Sequence, residues 1–383
     1  MGACLLCRKE FSTILIFKNV FTKLNIMKKP NILALLPFIV KGALSIKILR
    51  AMRQKGFDVT LSFRQNIPHI YVPDPLDDFI AEDRLIDLSS LSQSQCINYL
   101  ENEIDKRCVD LILQIGAFDL YHCLPYLKER KPDLKIIDTL YNEYGHSLNH
   151  FLYEECIDGV IVESESMRKF VEQASEKIKP NIKILSTGID LDTFLPYQGC
   201  SGGAGIVVGY VGRISDEKNP LGFIDLAERL TESIFNVTFK MFGAGDQTEF
   251  VRERINQSPA RSRLIFEGFV DSIIDALIQI DVLILPSKFD GRPNIIMEAN
   301  ACGIPVIAAP VGGVPEMIFE GINGYLLSPQ DVYRIGELIT DWIRFPESLK
   351  ELKRTSRDTA LARFDSKAMV NAYADAFTDF AAA

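Results

Sequence analysis

A two-domain α/β architecture, each half built on its own parallel sheet, is what this chain predicts, and three observations carry that expectation. With 383 residues the chain exceeds one typical hydrophobic core. From Met27 onward, short β-rich apolar runs alternate with helical stretches, the order of parallel α/β layers. The segment Pro196 to Gly205, rich in glycine and poor in apolar residues, divides this alternation into two series as a linker would.

Residues 1–26 are set apart as an N-terminal extension. Residues 1–30 carry six basic side chains and one acid, a balance of +5 that leaves −14 for the rest of a chain of net charge −9. The apolar run Phe11 to Phe21 is too short to span a bilayer and lacks a small-residue cleavage site. Two readings stand: a basic amphipathic helix lying on a membrane surface, or an upstream extension before a start at Met27. Composition excludes other classes: 47% hydrophobic and 24% charged residues are ordinary for a soluble globular protein, and the acidic balance argues against a nucleic-acid partner.

In the first domain, residues 27–195, strands are expected at Ile32 to Leu36, Val59 to Phe63, Val109 to Ile115, Ile136 to Leu140, Val160 to Glu163 and Ile182 to Leu185. Helices fall at Ala43 to Gln54, Leu91 to Arg107 and Ser164 to Ala174. The basic residues Lys47, Arg50, Arg53 and Lys55 of the first helix read as a solvated face, with attraction to anionic lipid the minority reading. In the second domain, residues 196–366, strands are expected at Ile206 to Val211, Val237 to Phe242, Leu264 to Phe266, Val282 to Leu285, Val306 to Ala308 and Gly324 to Leu327. Eight cysteines without framework spacing fit a reducing cytosol, and the lone Cys4/Cys7 pair lacks two further zinc ligands, so no metal site is expected. Asp190-Leu191-Asp192 reads as turn structure rather than a cation site.

Two loops carry the chemistry. Arg213 and Lys218 follow the strand Ile206 to Val211, at the carboxyl edge where open α/β sheets bind ligands; two cations there suit a diphosphate, or are surface charges partnered by Asp216 and Glu217. Asp290 precedes the turn Gly291 to Pro293, where proline presets φ for a helix start, and Glu298 falls about one turn inside that helix. The helix N-terminus then faces the same space as both carboxylates, which suits a phosphate-bearing ligand with hydroxyls on either side. Alternatively both acids are ordinary helix-start residues, or the acid and nucleophile of a glycoside hydrolase, a reading that the adjacent cationic loop disfavours.

Together these stretches resemble family 4 of the retaining glycosyltransferases, the group 1 glycosyl transferases. Its marks are a G-R-x4-K-(N/G) loop and an E-x7-E segment within (E/D)-G-x-P-N-x4-E-A-x-A-x-G-x-P-V-I. The chain departs at Asp290, where Glu is usual, and at Asn300, where many members carry Met. Further matches follow in order: Gly243 to Asp246, Glu267 to Val270, Asp281 to Ser287, Gly312 to Glu316 and Gly321 to Leu327, with Leu185 to Phe194 ahead of the hinge. The resemblance implies the GT-B fold, two Rossmann-like domains facing across a cleft, with the C-terminal helix, residues 367–380, returning to the first domain.

It also implies an activity: retaining, metal-independent hexosyl transfer from a nucleotide-sugar donor, with no cofactor, to a glycan, lipid or polyisoprenoid-linked acceptor, in cell-surface polysaccharide or glycolipid synthesis. Arg213 and Lys218 would stabilise the departing diphosphate, Asp290 would hold hydroxyls of the donor sugar and Glu298 the ribose. The backbone at Asn294 and Ile295 would meet the phosphates, with Gly291, Val270 and Gly42 completing the nucleotide-sugar site. The acceptor hydroxyl would attack from the face the leaving group departs, the donor phosphate taking its proton. No general base is assigned, and His146 reads as a structural or surface histidine. Location is expected to be cytoplasmic or peripheral at the inner membrane face. A sugar-nucleotide 2-epimerase and a non-catalytic nucleotide-sugar-binding protein are the rivals; no G-x-G-x-x-G opens the first helix, which disfavours a dinucleotide oxidoreductase.

Overall fold

The structure is a computed structural model that describes residues 28–40, 43–64, 73–143, 146–177, 181–196 and 205–383. The expected extension at 1–26, most of the linker, Gly42 and the Cys4/Cys7 pair lie outside the described residues.

Seven parallel strands form the first sheet: β1 (Asn31–Leu36), β2 (Asp58–Phe63), β3 (Leu85–Asp87), β4 (Leu111–Gln114), β5 (Lys135–Leu140), β6 (Gly159–Val162) and β7 (Ile182–Ile184), in the order β3-β2-β1-β4-β5-β6-β7. Six more form the second: β8 (Ile206–Val211), β9 (Val237–Phe242), β10 (Leu264–Gly268), β11 (Val282–Leu285), β12 (Val306–Ala308) and β13 (Gly324–Leu326), in the order β10-β9-β8-β11-β12-β13. Every pairing is parallel, and strands inside the sheets, covered on both faces, read as apolar runs: β4, β6 and β11 are buried throughout, whereas the edge strands β3, β7 and β10 are partly exposed.

The helices are α1 (Leu44–Gln54), α2 (Gln93–Arg107), α3 (Leu124–Arg130), α4 (His146–Tyr153), α5 (Glu165–Ala174), α6 (Pro220–Ser233), α7 (Thr248–Asn256), α8 (Asn294–Ala301), α9 (Val332–Arg344), α10 (Pro346–Arg363) and α11 (Ser366–Ala382), with shorter turns between them. Local chemistry sets their starts. Ser92 opens α2 with a capping box, and Ser164 opens α5 by accepting the Met167 N–H at 3.2 Å. Asn219, in the left-handed region at φ 51°, opens α6 by accepting the Gly222 N–H, with Pro220 at the first helical position. Pro293 stands one place earlier than its sequence suggests: it precedes α8 with extended backbone, ψ 118°.

The last helix crosses back. Met369, Tyr373, Ala376, Phe377 and Phe380 of α11 pack with β1, β2 and α1 in the core on one face of the first sheet. Its start is tied to the hinge segment, because Ile189 donates to Phe364 O and Ser366 donates to Ile189 O. The two arginines of the basic face of α1 are paired within the fold: Arg50 is held by Asp74 and Asp78, and Arg53 by Asp78 and Glu82. That pairing counts against lipid attraction through those two arginines. Among the described residues no helix is long and apolar enough to cross a membrane.

Candidate active site

In each sheet the chain order reverses once, between β1 and β4 and between β8 and β11. Loops leaving these two central strands diverge to opposite sides, which opens a crevice at the carboxyl edge. In the second sheet that crevice is bordered by the loop after β8, with Arg213 and Lys218, and the loop after β11, with Asp290.

The two loops are laced together. Glu217 O accepts the Lys288 N–H at 2.8 Å, and Asn219 Nδ2 donates to Pro286 O at 3.0 Å. Lys218 Nζ lies 2.7 Å from Asp290 Oδ2, which also accepts the Ser287 hydroxyl at 3.2 Å. The Asp290 side chain is 8% exposed and that of Lys218 22%, so this pair is well desolvated. Arg213 lies at the surface: its side chain is 55% exposed and meets Glu217 at 3.1 Å. The four-residue spacing across the 3₁₀ turn Asp216–Lys218 sets that contact, while Asp216 pairs with Lys288.

Close backbone approach shapes the crevice. A Cβ at Gly243 would stand 1.8 Å from Gly212 O, and one at Gly245 would stand 2.2 Å from Ile214 O. Gly312, at φ +50°, would place a Cβ 1.9 Å from Asp290 O. Only glycine fits these positions, so the loops after β8, β9, β11 and β12 stack directly on one another. Gly291 meets the first domain: a Cβ there would lie 2.4 Å from Tyr141 O.

Asn294 and Ile295 form the first turn of α8, Asn294 exposed and Ile295 packed against the apolar core beneath. Glu298 sits one turn on, partly buried; burial pushes its carboxyl up to about 7, opposed by the Lys47 ammonium of α1. Val270, just beyond β10, packs on the same core. Gly42 and the His146 side chain lie outside the described residues. Asp190 accepts the Asp192 N–H at 3.0 Å and the Thr193 hydroxyl at 2.8 Å, which is turn structure. No group of acids, histidines and cysteines among the described residues is arranged to hold a metal ion.

Three features escape motif reading. Asn300 and Asn323 form a buried amide pair at 2.7 Å, so the amide where relatives carry Met has a partner supplied by the Gly321 to Leu327 motif. Asp138 accepts the Tyr121 hydroxyl at 2.9 Å and lies 2.9 Å from His150 Nδ1, a fully buried network in the first domain. At the first sheet's reversal, a shallow hollow is lined by Leu36, Pro37, Arg64 and Ala117 to Leu120.

Two Rossmann-like domains with facing crevices define the GT-B class of fold, and solved structures share it. The likeness to Anabaena HepE in complex with UDP has TM-score 0.72 at 18% identity, over 91% of this chain and 100% of that one. A glycosyltransferase from Rickettsia africae aligns with TM-score 0.73 at 18% identity, over 92% and 99%. Residues 202–359 match the model of the glycosyl transferases group 1. Curated relatives include the Vi polysaccharide biosynthesis protein VipC/TviE of Salmonella typhi, 31% identical over 40% of this chain. Another is N-acetyl-alpha-D-glucosaminyl L-malate synthase of Bacillus anthracis, 26% identical over 40% of this chain. The matches span only 26% and 41% of those relatives' lengths.

Proposed function

We propose that the chain is a retaining, metal-independent glycosyltransferase that moves a sugar from a nucleotide-sugar donor to a glycan or lipid-linked acceptor. The observation that carries this reading is the Lys218–Asp290 contact of 2.7 Å at the reversal of the second sheet, beside the start of α8 and Glu298. A lysine ammonium has three N–H donors, so Lys218 can keep Asp290 in place while donating to an oxygen of the departing diphosphate. Arg213 is paired only at the surface, where an ion pair holds weakly, and can turn onto the same diphosphate at little cost. Asp290, fixed by Lys218 and Ser287, is placed to accept hydroxyls of the donor sugar. Glu298 takes the ribose, and the first N–H groups of α8, at Asn294 and Ile295, meet the phosphates.

Support comes from the group 1 family match and from fold neighbours solved in complex with UDP and with UDP-glucose. The acceptor hydroxyl attacks from the side on which the diphosphate leaves, and the donor phosphate takes its proton. Peripheral membrane contact through the first domain belongs to this reading only where the acceptor is lipid-linked.

The test is a panel of sugar nucleotides scored by released nucleoside diphosphate, with and without acceptors. Lys218→Ala and Glu298→Ala are expected to lose donor turnover while keeping the wild-type fold by circular dichroism. Full activity in either variant refutes the assignment, and conversion of donor without acceptor points to an epimerase instead.

A further inference from the structure

Glu316 closes the Gly312 to Glu316 motif, in the 3₁₀ turn Val314–Glu316 beyond β12, and nothing in the donor chemistry above uses it. Among the described residues, both hydrogen bonds of its side chain run to the first domain: its two oxygens accept the N–H groups of Glu165 and Ser166 at 2.9 and 3.0 Å. Those are the first two residues of α5, and the opening N–H groups of a helix have no partner inside it. The next N–H, at Met167, is met within the first domain by the Ser164 hydroxyl at 3.2 Å. One helix start is therefore completed from both domains. An ionised carboxylate suits the place, because its charge meets the positive end of the helix and each oxygen takes one donor.

The same loop backs the Asp290 turn. The Gly313 N–H donates to Gly291 O at 2.7 Å, and a Cβ at Gly313 would stand 2.3 Å from that oxygen and 3.2 Å from the Ser164 Cβ. A Cβ at Gly312 would stand 1.9 Å from Asp290 O, and one at Gly291 would stand 2.4 Å from Tyr141 O. The backbone at 290 and 291 thus touches both the glycine pair and the first domain. Lys218 holds the Asp290 carboxylate from within the second domain; the Glu316 contact sets where the turn stands against the first. We propose that Glu316 is a positioning residue: by capping α5 from across the cleft it docks the first domain on the Gly312–Gly313 loop, and so fixes the turn from which Asp290 meets the donor sugar. The docking needs no donor; its consequence for Asp290 rests on the function proposed above.

Amide-resolved hydrogen exchange in the full chain without nucleotide reads the docking, with Met167 as the internal control. Glu316→Ala is expected to lower protection at Glu165 and Ser166 about tenfold, while Met167 keeps its own. Glu316→Gln, which retains one uncharged acceptor oxygen, should lower it about threefold. With the sugar nucleotide that the panel above selects, Glu316→Ala should lower kcat about tenfold. UDP affinity by calorimetry should stay within about twofold, because the groups assigned to the nucleotide stand in the second domain. Unchanged protection at both amides in Glu316→Ala overturns the docking. Lost protection with unchanged kcat, or a fall in UDP affinity as large as the fall in kcat, overturns the positioning of Asp290. If Glu316→Ala does not fold, Glu316→Gln decides by the same readouts. A wild type that protects both amides yet neither binds UDP nor releases nucleoside diphosphate keeps the docking and refutes the function on which the role of Asp290 rests.

Discussion

In the second domain, the loops at the carboxyl edge of the sheet are held backbone to backbone, with Gly243 against Gly212 and Gly312 against Asp290. In the first domain, side chains do the holding. Gln114 pins the loop after β4 by accepting the Ala117 N–H at 2.9 Å and donating to Ala117 O at 3.1 Å. Asp138 gathers Tyr121 and His150 behind the same edge. Backbone packing of this kind depends on glycine at a few fixed places, so it leaves a motif. Side-chain clamps can be built from many residue pairs, and an edge held that way is free to change with the molecule it receives. Under the function proposed above, the contrast fits a shared donor half and an individual acceptor half.

The largest effect that would sharpen this contrast is at the one cation gripping Asp290. Lys218→Ala is expected to lower kcat/KM about 10³-fold, with the melting temperature nearly kept, as steady-state assay of nucleoside diphosphate release would show. Next comes the backbone stack itself. Gly312→Ala forces a Cβ to within 1.9 Å of Asp290 O at φ +50°, and should cost on the order of 3 kcal/mol by thermal unfolding. Gly268 has φ +82° but nothing within 4 Å of a Cβ, so Gly268→Ala should cost only the backbone strain, about 1 kcal/mol. Equal losses at the two glycines would break the claim that close approach shapes the donor crevice.

Much of the second domain was legible because its signals are local. β8, β9, β11 and β12 coincide with apolar runs bounded by glycine or proline, and the loop residues recur in a fixed order along the chain. The three-residue edge strand β3 carries too little apolar length to stand out, and α9 and α10 follow the last motif without a loop pattern to mark them. The pairing of Arg213 was open in the sequence, since Asp216 and Glu217 both lie within reach; the 3₁₀ turn decides for Glu217. The hydrogen bonds that Glu316 accepts from the Glu165 and Ser166 N–H groups could not be read at all, because they join residues distant in sequence through the docking of two domains. The Asp138 network was hidden for a similar reason: polar residues inside an apolar pattern read as interruptions until their partners are placed.

A smaller effect is expected from loosening the first domain alone. Tyr121→Phe removes the hydroxyl that Asp138 accepts at 2.9 Å and leaves the buried carboxylate its contact with His150. The cost should be about 1–2 kcal/mol in thermal unfolding. UDP affinity by calorimetry should stay within about twofold, as expected for sites that share no partners. A large loss of UDP binding would show that the two edges are not held independently.

The smallest expected effect concerns Glu298, where the two domains meet electrostatically through Lys47. Burial raises the carboxyl from 4.5 to about 7, so over that window the folded chain holds a proton that the unfolded chain has lost. Stability contributed by this group is present below 4.5 and declines as pH rises toward 7. UDP affinity should run the other way, because an ionised carboxylate accepts ribose hydroxyls more strongly than a protonated one. Between about pH 6 and about pH 8 the affinity should rise by up to about tenfold, the change in ionised fraction, and Glu298→Gln should flatten that curve. A wild-type affinity that does not vary across this range would remove Glu298 from the ribose site and leave it a packed acid facing Lys47.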